Sequence, residues 1–164
     1  MATGINFNRP EFNRPKWKRI IVAIASVAAT LNVWAYIAQS QPASVNLSPQ
    51  FSPVELRGTT GGATPVNEIT GRAATPTGLC TGFANSAPSH TIVLKGFTES
   101  LRILVESSED TALAIRGPGG VWCNDDFVGK NPGVTGQWLA GKYEIWVSSY
   151  AKNRTAPYVL RIRR

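Results

Sequence analysis

Histidine occurs once, methionine once and cysteine twice in the 164 residues, and acidic side chains number only 10. Each scarcity removes a class of chemistry. His90 stands alone beside Pro88 and Ser89. One imidazole does not build a histidine zinc centre, and a serine triad needs a nucleophile, a base and an orienting acid that converge. Cys80 and Cys123 lie far apart, so there is no Cys-x-x-Cys pair for redox exchange or a zinc ribbon. No glycine-rich phosphate loop precedes a helix. The chain therefore reads as a non-enzyme.

What is present is uneven. The formal charge is +7, but residues 1–19 hold five Lys/Arg against one Glu, so a short leader carries most of it. That is a basic flank rather than a basic groove, and it predicts no nucleic-acid partner. From Ile20 to Ala38 the sequence runs without a charge. At about 1.5 Å per residue that length matches the hydrocarbon of a bilayer. Trp17 lies at one end and Trp34 and Tyr36 near the other, where amphipathic rings favour headgroups. Lys16, Lys18 and Arg19 precede the segment and no basic residue follows until Arg57, which places the N-terminus in the cytoplasm. A transmembrane helix over 20–38 is expected, with everything after it exported. The competing reading is a cleaved signal peptide ending near Ala38-Gln39-Ser40, although the apolar run is longer than an ordinary signal core. The leader also repeats Phe-Asn-Arg-Pro at residues 7–10 and 12–15, either a solvated topology signal or an extended docking peptide.

Residues 39–50 are polar, proline-bearing and aperiodic, the composition of a linker. The remainder, 51–164, changes to short runs that alternate apolar and polar side chains, the period of a strand with one buried face. Leu101, Ile103 and Val105 alternate in this way, as do Thr111, Leu113 and Ile115, Tyr143, Ile145 and Val147, and Tyr158, Leu160 and Ile162. Shorter candidates are Val54 to Arg57, Thr91 to Leu94 and Val134 to Trp138. Glycine- and proline-rich turns near 117–120, 131–133 and 140–141 separate neighbours at hairpin-like intervals. An all-β fold is expected, an antiparallel, jelly-roll-like β-sandwich behind a single transmembrane helix. In an oxidising compartment Cys80 and Cys123 are expected to form a structural disulfide.

Seven segments occur in a recognisable order: Cys80-Thr-Gly, Pro88-Ser-His, Asp110-Thr-Ala-Leu-Ala-Ile, Gly117-Pro-Gly-Gly, Trp122-Cys-Asn-Asp-Asp, Gly141-Lys-Tyr-Glu-Ile-Trp-Val and Tyr158-Val-Leu. Together they resemble the bacterial pre-peptidase C-terminal-like β-sandwich domains, particularly a variant of cyanobacterial exported proteins. The resemblance covers about half the chain. It implies a jelly-roll sandwich serving as a non-catalytic appendage, calcium-binding in some members. No peptidase domain accompanies the module here, so a role in protease maturation does not carry over.

Two further readings concern ligands. Asp110, Asn124, Asp125 and Asp126 offer hard oxygen atoms of the kind calcium takes, against the alternative that Asp and Asn serve as turn residues bonded to the local backbone. Trp122, Trp138 and Trp146 offer aromatic faces for a sugar or a partner. Trp146 has the outward parity between Ile145 and Val147, whereas a tryptophan beside a disulfide, as Trp122 is, commonly packs in a core. The expected function is a membrane-anchored accessory module in the periplasm or thylakoid lumen that binds another protein or a membrane complex. The alternative is an envelope module for carbohydrate or calcium.

Overall fold

Strand side chains point alternately to opposite faces, and that parity decides which residues enter the core between two sheets. The computed structural model describes Met1 and residues 43–164. In chain order the elements are β1 (Ala43–Leu47), β2 (Val54–Thr59), β3 (Thr64–Pro65), α1 (Val66–Thr70), β4 (Ala74–Thr75), β5 (Gly78–Leu79) and β6 (Phe83–Ala84). They continue with β7 (His90–Leu94), β8 (Thr98–Ser107), β9 (Thr111–Gly117), β10 (Gly120–Asn124), β11 (Gly133–Trp138), β12 (Gly141–Ser149) and β13 (Pro157–Arg163).

Two sheets result. In the first, β12 pairs with β9 along one edge, and β10 pairs outside β9. Along its other edge β12 pairs with β7 and, one strand-end further, with the short β6, which carries β3. The second sheet has the order β11-β8-β13-β2, antiparallel throughout. The strands read from alternation all appear: Leu101, Ile103 and Val105 of β8 and Leu160 and Ile162 of β13 meet Leu113, Ile115, Tyr143, Ile145 and Val147 of the first sheet in one fully buried cluster. Each such aliphatic side chain contributes about 1.5–3 kcal/mol by leaving water. The β-sandwich is thus the architecture of the described residues.

Three features depart from the sequence reading. Residues 43–47, within the stretch read as a linker, form β1, whose Val45 packs against the core while Leu47 is buried in it. Two apolar residues among polar neighbours are too short an alternation to distinguish a strand from a stalk. β1 runs parallel to β7, so the sandwich is not wholly antiparallel. Of the three turns, only 117–120 closes a hairpin, joining β9 to β10. The chain around 131–133 and 139–140 crosses from one sheet to the other, because β11 belongs to the second sheet and β10 and β12 to the first. Turn residues signal a reversal but do not say whether the next strand pairs or packs.

A second, smaller core lies on the outer face of the first sheet. The segment from 60 to 86 folds over that face, and Val66, Cys80 and Ala84 pack there with Ala114, Cys123 and Trp146. This covering segment approaches its own neighbours closely. At Gly62, with φ +148, an added Cβ would stand 2.0 Å from the Ala84 backbone, so only glycine fits.

The expected membrane segment, the cytoplasmic leader with its Phe-Asn-Arg-Pro repeat, and Lys16, Lys18 and Arg19 lie outside the described residues. Among the described residues no helix is long and apolar enough to cross a membrane.

Candidate functional site

The disulfide expected between Cys80 and Cys123 is formed, with Cα atoms 5.0 Å apart, and it ties the covering segment to β10. The covering segment is fastened further around the same strand: Thr77 Oγ1 donates to the Cys123 carbonyl at 2.8 Å, and the Cys123 amide donates to Thr75 Oγ1 at 3.0 Å.

Among the described residues no three His, Cys, Asp or Glu side chains, Asp110, Asp125 and Asp126 included, gather as a group that could hold a metal ion. Asn124 ends β10 and ties it to two other segments. Its Oδ1 accepts from the Gly133 amide at 2.9 Å, and its Nδ2 donates to the Thr77 carbonyl at 2.9 Å. Both ends of the amide are thus engaged by backbone from elsewhere in the chain.

The tryptophans are also placed inward. Trp146 has the parity predicted, but the covering segment lies over it, leaving 2% exposed. Its Nε1 donates to the Ser86 carbonyl at 3.2 Å, and the Arg116 guanidinium sits 5.2 Å from the ring centroid. Trp122 packs against Trp138 and Tyr143, with centroids 5.2 and 6.2 Å away, at one end of the main core. These rings are packing elements, which removes Trp146 as a platform for ligands.

His90 is buried on the inner side of β7, where its Nε2 lies 2.8 Å from the Tyr158 hydroxyl of β13. This bond joins the two sheets through the core. Burial holds the imidazole down to about 4 and pushes the Tyr158 phenol up to about 12. Nδ1 has no partner. Tyr158 reaches this place because its register partner on β2 is Gly58, where a Cβ would stand 2.4 Å from the hydroxyl. A buried, neutral imidazole in a packed core is out of reach of a substrate.

Among the described residues no segment covers the outer face of the second sheet. The side chains that point away from the core there include Glu55 and Arg57 on β2, Val159, Arg161 and Arg163 on β13, Arg102, Leu104 and Glu106 on β8, and Thr135 on β11. Arg161 pairs with Glu55 and, through Nε at 2.8 Å, with Glu106. Arg57, Arg102 and Arg163 form no ion pair among the described residues. Arg102 lies directly opposite Arg163 in the register of β8 and β13. Its Nε donates to Thr135 Oγ1 at 3.2 Å, and its guanidinium lies 5.7 Å from the Phe127 centroid. A hollow of about 430 Å³ opens at the Arg57 end of this face, bordered by Glu106, Ser107, Ser108, Asn131 and Pro157. Alternation by itself puts Arg102, Arg161 and Arg163 on the polar sides of their strands. Their clustering depends on β8, β13 and β2 being neighbours, which alternation does not reveal.

No family model matches the chain. An uncharacterized protein of Synechococcus elongatus is 28% identical over 144 residues, covering 85% of this chain and 93% of that protein. Among solved structures, the pre-peptidase C-terminal domain of a collagenase from Bacillus anthracis is similar at a TM-score of 0.43 and 12% identity, over 75% of this chain and 97% of that one. Aeromonas hydrophila PliG, a periplasmic inhibitor of g-type lysozyme, is similar at a TM-score of 0.37 and 15% identity, over 74% of this chain and 97% of that one. Likenesses at this level assign no activity.

Proposed function

We propose that the protein is a non-catalytic interaction module, anchored by the apolar segment 20–38, whose sandwich stands outside the cytoplasm and binds another protein or a membrane complex. One observation carries the reading: the two sheets are finished differently. The first has one face in the main core and part of the other beneath residues 60–86. The second has no such cover among the described residues, and its outer face is rich in arginine, a residue enriched at protein interfaces.

The setting agrees with this reading. A disulfide in a domain of this size suits an oxidising compartment such as the periplasm or a thylakoid lumen. The charge asymmetry around residues 16–57 favours an exported C-terminal part. The similarity to the Synechococcus protein spans 85% of the chain, more than residues 43–164 provide, so it continues upstream of Ala43. A carbohydrate or calcium module has less support, since Trp146 is covered and Asn124 is engaged by backbone.

The test is purification of the full-length, C-terminally tagged protein from its native membranes in mild detergent, with the intact mass of the recovered chain. An unshortened chain with a stoichiometric protein partner is the expected result. A shortened, solitary chain that retains glycan or calcium would replace this reading with the ligand-binding one.

A further inference from the structure

The uncovered face has a finer grain than general basicity. Arg102 and Arg163 are direct cross-strand partners, an arrangement that brings two like charges to about 4.5–5.5 Å at the Cα atoms and is unfavourable unless something lies between them. No carboxylate of the described residues does so, because Glu55 and Glu106, the acidic side chains of this face, are held by Arg161. Arg102 is also held in place before any partner arrives. Thr135 takes its Nε and the Phe127 ring lies beside its guanidinium, which leaves the terminal nitrogens to receive a carboxylate in the two-pronged manner that arginine favours. Arg57, at the other end of the face, borders the hollow. At that end the half-buried Val159 stands directly opposite Arg57 and Glu106, and in the row between it and the Arg102–Arg163 pair the half-buried Leu104 stands opposite Arg161.

We propose that this face docks a carboxylate-rich surface of a protein partner, gripped by Arg57, Arg102 and Arg163, with Leu104 and Val159 as the apolar contacts among them. Arginine beside apolar side chains is a composition enriched at protein interfaces. Glu55 and Glu106, set among the arginines, disfavour a uniformly anionic lipid or glycan and suit a protein face that carries both signs. The inference rests on the interaction-module reading and names its surface.

The experiment places a photoreactive amino acid at Val159 in the full-length protein in its native membranes, with Leu79 and Phe97, exposed elsewhere, as comparison positions. The expected adduct at Val159 is with one protein species, through a segment rich in Asp and Glu. Arg163→Glu turns the opposed pair into a complementary one, so the melting temperature holds or rises while adduct yield falls at least about tenfold, the scale of losing a close charge pair. A merely structural Arg163 would instead lower the melting temperature. Arg57→Glu, at the far end of the face, is a second variant with the same expected loss of adduct. Adducts at Val159 with lipid or glycan, or a protein adduct insensitive to both reversals, would overturn the proposal. Protein adducts from Leu79 or Phe97 alone would overturn this surface and leave the module reading standing, whereas no protein adduct from any position would end both.

Discussion

His90 illustrates how a residue with catalytic potential becomes structural. Its ring is 2% exposed, and its one hydrogen bond, to Tyr158, spans the gap between sheets. Charging an imidazole there costs solvation that the core does not return, so the fold keeps it neutral down to about pH 4, whereas an unfolded chain takes up the proton near 6.5. The sign follows from linkage. Between these values the unfolded state binds the extra proton, so the contribution is whole above pH 6.5 and lost as pH falls through 4, amounting to about 3 kcal/mol. Urea denaturation at a series of pH values should reveal this loss, and His90→Gln, which does not titrate, should flatten that part of the profile. An unchanged profile in the variant would remove His90 as the cause.

At the level of elements, alternation proved a sound guide to which residues of β8 and β13 face inward, because those strands have one buried face. It proved incomplete for β9 and β12, where Ala112, Ala114, Trp146 and Ser148, on the side read as outward, are buried as well. The cause is residues 60–86, which bring their own small core to that side. The Cys80–Cys123 bond holds this cover on, closing a sequence separation of 43. On the chain-entropy model it stabilises the fold by about 4 kcal/mol. The paired variant Cys80→Ala/Cys123→Ala should lower the urea midpoint accordingly. It should also speed amide hydrogen exchange over residues 60–86 before the main core. Uniform exchange across both cores would mean that the cover is not a separable unit.

For the whole molecule, the anchor and the sandwich are expected to act independently. Residues 43–164 hold two buried clusters of their own. Deleting residues 1–38 should therefore release the protein from the membrane fraction while leaving the melting temperature within about a degree or two, a surface-scale change. Retention in a carbonate-washed membrane pellet would instead assign membrane binding to the sandwich.

Composition and period alone determined a good deal: the basic flank beside an apolar run, the order of the main strands, their core parity and the two cysteines available for one bond. These are properties of neighbouring residues, which backbone geometry makes legible. Only the tertiary structure decided that Trp146 is covered, that Asn124 spends its amide on Thr77 and Gly133, that 43–47 joins a sheet, and that Arg57, Arg102 and Arg163 share one open face. Each of those outcomes depends on which distant segment packs or pairs there, and a two-residue period specifies the side a residue takes but not what meets it.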